Sequence, residues 1–497
     1  RFVVSFLCLN SMVLQYVIMG FRKRSNQRTE SPFWYEPYPS ASQWKPCAEK
    51  KSSSKLWYNG TVNSSNGFIM VSANGGLNQQ RVAICNAVAL ASLLNASLVL
   101  PHFLYSSVWK DPSQFSDIYQ SDHFINFLRF DVRIVKDLPP NAGDQANHFL
   151  ITDDDIEKEA KPVDYRTKVL PLLLRHGVVH FLGFGNRLGF DPIPRHLQSL
   201  RCKCNFHALK FVPKIQKAGS LLMERIRTHN GACTVINEEL MGAFRPPCNS
   251  SAGSMKYLAL HLRFEIDMIA YSLCDFGGGE EERRELEEYR ENHFALLTAR
   301  VKTLSPNSLS PAELRKSGKC PLMPEEAALI LAGLGFRRDT LVYIAGSETY
   351  GGASRLQPLR ELYRNTVTKE KLLSRLELAP FRNFSSQMAA LDFIACASAD
   401  AFAMTDSGSQ LSSLVSGFRT YFGGGEAPVL RPNKKEAASI FGESERISWR
   451  GFTRKVRRAI KDGQRIHPRE MGKSIYRYPR CTECMCKSNY KENNYLG

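Results

Sequence analysis

Short apolar runs alternate with helix-like stretches along most of the chain. FIMVS (68–72) reads as a buried strand, and NGGLNQQR (74–81) reads as a turn. Val82 to Leu94, with apolar positions three or four apart, predicts a helix, and LVLP (98–101), closed by Pro101, predicts the next strand. VVHFLGF (178–184) continues as a strand and Phe211 to Arg227 as a helix. The pattern restarts at YLALHLRFE (257–265). DTLVYIAG (339–346) is a strand entering a glycine turn, and Ser386 to Ala397 is helical. ADAFAMT (399–405) is a strand, and DSGSQLSSLVSGF (406–418) begins another helix. No internal repeat is present. Strands and helices alternating in two blocks imply an α/β protein with two doubly wound domains.

The blocks suggest boundaries: a membrane-anchor segment at 1–24, a stem at 25–65, α/β domains at 66–250 and 251–448, and a basic tail at 449–497. Cys248 to Ser254, small and polar, marks the seam. Gly277 to Lys302 reads as a solvated charged helix after three glycines, and 303–320 as a Pro/Ser loop. Trp449, Phe452, Val456 and Ile460 share a helical face, so the tail begins with a helix docked on the body.

Composition refines this. At 497 residues the chain is too long for one core, and 43% hydrophobic residues exclude wholesale disorder. The net charge of +18 points to an anionic partner. Residues 450–480 carry eleven Lys/Arg against two Asp/Glu, and residues 1–50 seven against three. Charge concentrated at the ends argues against a nucleic-acid groove through the body, so nucleic acid is not an expected partner. Residues 2–21 are mostly apolar and about long enough to span a bilayer. Five sequons, at Asn59, Asn63, Asn95, Asn249 and Asn383, favour a lumenal body. Arg22-Lys23-Arg24 argues the other way by the positive-inside rule. The sequons take precedence here. Cys481, Cys484 and Cys486 have no second CxxC or histidine beside them, so disulfides are expected there rather than zinc.

Four segments carry candidate chemistry. Gly75 and Gly76, between strand and helix, let backbone N–H groups approach a ligand, with Asn78 and Arg81 close behind. Arg263 emerges where the 257–262 strand ends, beside His261, Glu265 and Asp267. Ligands bind at that end of open α/β sheets, and a buried Arg there pairs with a phosphate or with an internal acid. Thr405-Asp406-Ser407-Gly408-Ser409 offers hydroxyls and N–H groups, or simply caps a helix. Gly346-Ser347-Glu348 and Gly351-Gly352 line the same rim. Asp153-Asp154-Asp155 resembles a metal site but reads better as acids at a helix start, so no metal is expected.

GGLNQQR, LLNASLVLP, HLRFE with Asp267-Met268, and TDSGSQLSSLVSG with FRTYFGG and RPN together resemble the plant protein O-fucosyltransferase-like family, from about Phe68 to Phe441. The resemblance implies a GT-B fold, two Rossmann-like domains facing across a cleft. It also implies inverting transfer from a nucleotide sugar, GDP-fucose, without a required metal or other cofactor. By likeness, Gly75, Gly76 and Asn78 face the reacting sugar and diphosphate. His261 and Arg263 match an H-x-R, with Arg263 on the phosphates, and Asp406, Ser407, Gly408 and Ser409 line the nucleotide pocket. Glu265 or Asp267 is the candidate base, and Arg263-assisted bond cleavage without a dedicated base is equally open. The acceptor is a hydroxyl on a protein or glycan, and the setting is a type II protein of the Golgi membrane. The competing expectations are another donor, such as UDP-rhamnose used on a wall polysaccharide, and a non-catalytic carbohydrate-binding scaffold.

Overall fold

The computed structural model describes residues 30–50, 65–105, 111–140, 148–152, 154–185, 188–227, 234–246, 255–303, 310–443 and 447–488. The anchor segment, the sequons at Asn59, Asn63 and Asn249, the seam at 248–254 and Asp153 lie outside the described residues. No helix among the described residues is long and apolar enough to cross a membrane.

After a short strand β1 (Trp44–Pro46), six strands build the first sheet: β2 (Phe68–Ala73), β3 (Ser97–Val99), β4 (His102–Phe103), β5 (Ile134–Val135), β6 (Phe149–Ile151) and β7 (Val178–Phe184). They run parallel in the order β5-β3-β2-β7-β6, with β4 alongside the end of β2. The second sheet is also parallel, in the order β10-β9-β8-β11-β12. Its strands are β8 (Tyr257–His261), β9 (Leu341–Ala345), β10 (Thr366–Val367), β11 (Ala401–Met404) and β12 (Val429–Leu430). Parallel sheets need cover on both faces. On β8, Tyr257 and Ala259 face one apolar core while Leu258 and Leu260 face the other, the period of two that a pleat imposes.

The helices that matter for the site are α1 (Leu77–Leu93), α2 (Arg195–Lys203), α3 (Pro213–Ile226), α4 (Ile266–Ser272), α5 (Gly279–His293), α6 (Pro324–Leu334), α7 (Ser385–Ala397), α8 (Gln410–Phe422) and α9 (Trp449–Gly463). Helix α1 starts five residues before the predicted Val82. Asn78, Gln80 and Arg81 are buried in its first turns, so the polar run that reads as a turn is helix. Helices α3, α7 and α8 fill the space between the sheets. A Cβ on Gly219 of α3 would lie 2.5 Å from Ile394 Cδ1 of α7, so the glycine sets this close approach. Phe206 stacks flat on Tyr421 of α8 with centroids 4.1 Å apart. One core thus runs from the first sheet through these helices to a face of the second.

Several segments differ from their sequence patterns. Part of the supposed stem is packed on the body: Phe33 and Trp34 are buried, Trp34 meets Phe336 edge-on at 4.9 Å, and Ser31 Oγ donates to Leu334 O at 2.8 Å. Phe33 and Trp34 of this segment are core residues. Asp154 and Asp155 sit in a turn, not a helix start; the Asp155 carboxylate accepts from Thr152 N at 2.7 Å and is exposed. Helix α5 is not wholly solvated, since Glu282 and Leu286 are buried and Glu282 pairs with Arg355 at 2.9 Å. The 303–320 loop contains a helix, Pro311–Lys316, capped by Ser310 and Glu313.

The tail follows its pattern and then exceeds it. Phe452, Val456 and Ile460 of α9 are buried, packed on α6. Beyond α9 the chain returns to the first unit, where β13 (Met485–Lys487) pairs antiparallel with β1. Disulfides Cys47–Cys486 and Cys202–Cys484 fasten this return, the second reaching α2, and Cys274–Cys320 ties a third pair. Cys481 is a buried free thiol.

Candidate active site

All the candidate residues lie where parallel strands end, because β2, β8, β9 and β11 all deliver their loops at their carboxyl ends. Beyond β8, Leu262 and Phe264 turn into the second core, which leaves Arg263 and Glu265 on the opposite side of the extended segment. Arg263 Nη1 donates to Glu265 Oε2 at 2.9 Å, and Nη2 donates to Asp267 Oδ2, in the first turn of α4, at 2.8 Å. The three side chains are 15%, 8% and 13% exposed, so the interactions are little screened. Of the two partners that the sequence leaves open for this arginine, the structure shows the internal one, doubled.

The electrostatics follow. Burial alone would lower the Arg263 pKa, but Glu265 and Asp267 more than reverse this and raise it. Glu265 is raised, since burial outweighs the nearby guanidinium. A diphosphate arriving at Arg263 therefore meets one cation shared by two acids.

His261 is a strut. Its Nδ1 lies 3.3 Å from Ala345 O and its Nε2 lies 3.0 Å from Ser409 Oγ. A carbonyl only accepts, so Nδ1 carries the proton and Nε2 accepts from the Ser409 hydroxyl. Burial, with Arg263 next, pushes its pKa down to about 4, which keeps the ring neutral at physiological pH. Ser409 is the N-cap residue of α8, yet its hydroxyl serves His261 rather than the helix backbone. Thr405 binds the two strands: its Oγ1 donates to His261 O at 3.3 Å and accepts from Arg263 N at 2.9 Å. Asp406 Oδ1 accepts from Gly408 N at 2.9 Å and lies 3.2 Å from Lys434 Nζ. Ser407 is half-buried and Gly408 exposed.

The β9 turn completes this half. Gly346 has φ +141°, and a Cβ there would lie 3.2 Å from Glu265 Oε1 and from Leu262 O. Below it, buried Lys369 donates to Gly346 O at 2.8 Å and to Asp392 Oδ2 at 2.9 Å, and Tyr343 donates to Asp392 Oδ1 at 2.7 Å. Sequence reading missed this brace. Lys369 sits in a charged run, and the available signal was one Asp within the apolar stretch of α7.

In the first unit, Gly75 has φ +83°, and Gly76 is the N-cap of α1 with no side chain capping the helix. Asn78 is buried, and its Oδ1 has no hydrogen-bond partner among the described residues. Gln80 Nε2 donates to Gly75 O at 3.0 Å. Arg81 is engaged inside the protein. It is buried, donates through Nε to Asn205 Oδ1 at 2.9 Å, and lies between the rings of Tyr119 and Phe393 at 5.7 and 5.6 Å. The structure thus brings His261, Arg263, Glu265, Asp267, Thr405 and Ser409 into one network. No hydrogen bond among the described residues joins Gly75, Gly76 or Asn78 to it. Nor do the described residues contain a group of three or more His, Cys, Asp or Glu placed to hold a metal ion.

Comparison with known proteins covers this whole region. A model of the family described as GDP-fucose protein O-fucosyltransferase matches residues 68–422. O-fucosyltransferase 8 of Arabidopsis thaliana is 61% identical over 92% of this chain and 75% of that protein. O-fucosyltransferase 15 of the same plant is 52% identical over 96% and 73%. A crystal structure of POFUT1 in complex with GDP-fucose matches 74% of this chain and 99% of its own at 13% identity and a TM-score of 0.39.

Proposed function

The chain belongs to the GDP-fucose protein O-fucosyltransferase family, and from that membership we propose that it moves fucose from GDP-fucose to a hydroxyl of a protein or glycan acceptor, with inversion at the sugar's C1. The observation that carries this reading is the family match over residues 68–422, which spans every candidate residue above. The enzyme is a fucosyltransferase, and the donor is its only required small molecule.

In this reading Arg263 engages the donor diphosphate, taking a share of the charge that Glu265 and Asp267 now balance. The uncapped start of α1 and the Gly75–Gly76 turn approach the donor from the other sheet. As the bond from C1 to the phosphate oxygen breaks, its electron pair leaves with GDP, and these groups stabilise the developing charge. The acceptor oxygen attacks C1 from the opposite face. Its proton passes to Glu265 or Asp267, whichever carboxylate Arg263 releases. His261 and Ser409 hold β8 and α8 in register rather than transfer protons.

The body works in the Golgi lumen, anchored as a type II protein through residues 1–24. Three disulfides among the described residues and the exposed sequon at Asn383 support an oxidising, glycosylating compartment. A nucleotide-release assay with a donor panel tests the activity. GDP release from GDP-fucose is expected, and release from UDP-rhamnose alone would overturn the donor assignment. Binding of GDP-fucose without transfer to any plant glycan or protein fraction would favour the scaffold.

A further inference from the structure

Beside Ser407 lies a cavity of about 530 Å³ whose walls come from the β12 exit, the Asn433 turn and the tail between Gly463 and Arg480. Lys435 and Lys473 also line it, and its other lysine and arginine side chains fall into two groups. Lys434 is balanced by Asp406 at 3.2 Å, Arg469 by Asp191 at 2.6 Å and Arg465 by Asp462 at 3.2 Å. Arg431, Arg477 and Arg480 are not so balanced. Their Nε atoms are buried without a hydrogen-bond partner among the described residues. Arg431 and Arg477 flank the ring of Tyr478 at 5.3 and 5.1 Å, and Arg431 Nη1 donates to the Tyr478 hydroxyl at 3.2 Å. Among the described residues, the one carboxylate within ion-pair distance of the trio is Glu36, 3.7 Å from Arg480.

Three largely buried guanidiniums, with one close carboxylate at Glu36 and Asp406 acting on Arg477 from further off, are costly to fold. Burial, with Arg477 next, pulls the Arg431 pKa down to about 10, and burial lowers Arg477 and Arg480 as well. An anion with several oxygens would relieve that cost, and forked Arg donors match phosphoryl oxygens best.

We infer that Arg431, Arg477 and Arg480 form a binding site for a phosphoryl anion, built in part by the C-terminal tail. The anion has two chemical sources: the diphosphate of the donor, entering past Ser407, or a separate phosphate-bearing ligand. Two contacts hold the tail beside this site. Gly417 of α8 lies where any Cβ would be 1.6 Å from Tyr476 O, and Tyr476 donates to Asn86 Oδ1 at 2.8 Å. Both contacts fix the residue next to Arg477.

The test uses the full chain and inorganic pyrophosphate, read by isothermal titration at low salt. Wild type should bind pyrophosphate. Arg477→Gln and Arg431→Gln should each weaken it at least tenfold, while Arg458→Gln, exposed on α9, should not. Repeating the titration with GDP present assigns the source, read on the share of pyrophosphate binding that Arg431→Gln and Arg477→Gln remove: loss of that share identifies the donor's diphosphate, and its persistence identifies a separate ligand. Pyrophosphate binding that is absent from wild type, or equal in all variants, overturns the inference. GDP release from GDP-fucose is measured alongside, so loss of the anion site and loss of the proposed activity are read separately.

Discussion

Arg263→Gln puts the central ion pair under direct test. The substitution strands Glu265 and Asp267, whose side chains are 8% and 13% exposed. Breaking a buried pair from one side costs about 3–5 kcal/mol. Glu265 limits the penalty by taking up a proton, since its pKa is already raised, so the lower end applies. About 3 kcal/mol lowers Tm by roughly 6–12 °C for a domain-sized unit. Loss of activity in this variant alone would therefore be uninformative. The double variant Arg263→Gln/Glu265→Gln removes the worse-buried stranded charge and should recover at least half of the lost Tm. A guanidinium–phosphate contact contributes about 1.5–3 kcal/mol, so GDP affinity in the double variant should remain roughly 10–150-fold below wild type. Scanning fluorimetry gives the first number and calorimetric titration with GDP the second. If the double variant regains both Tm and GDP affinity, Arg263 is a counter-ion only and the phosphate role is wrong.

Three further outcomes follow from the geometry. Gly417→Ala forces the tail backbone at Tyr476 aside and should destabilise the protein by about 1–3 kcal/mol or more, seen as a lower Tm, whereas Gly442→Ala, with nothing within 4 Å of its Cβ, should lack this penalty. His261 is held near pKa 4 against an ordinary 6.5, so its folded form binds fewer protons than the unfolded chain. Its stability contribution is complete above pH 6.5 and is lost as pH falls towards 4; His261→Gln should flatten the acid side of a Tm–pH curve, with a residual slope from His207, which is lowered in the same way. Reduction of the disulfides should lower stability by about 2–5 kcal/mol for each bridge that contributes. Cys47→Ser/Cys486→Ser should accordingly release the β1–β13 clasp, detected as protease cleavage near residue 488.

The sequence spoke clearly where the physics was local. Apolar runs at 178–184 and 257–262 located β7 and β8 because strands buried on both faces leave an unbroken apolar signature. The α9 face was legible because one side is solvent, which makes the 3.6 period visible. Helix α1 was misplaced at its start because it is buried nearly all round, so polar residues there hydrogen-bond inside the protein and mimic a turn. Arg81 shows the same limit: a buried, internally satisfied Arg has the same local sequence as one aimed at a ligand. The Lys369–Asp392 brace and the return of the tail depend on contacts between residues far apart in the chain, which no local pattern records. The motif ends of β8 and β11, by contrast, meet in one network because parallel strands must deliver their loops to the same edge.

The most direct test of the account is the donor preference of the purified full chain: titration with GDP-fucose, GDP and UDP-rhamnose, followed by nucleotide release with plant acceptor fractions. The account predicts binding of GDP-fucose and GDP, and GDP release that falls with Arg263→Gln/Glu265→Gln. Binding and turnover of UDP-rhamnose with no response to GDP-fucose would contradict it.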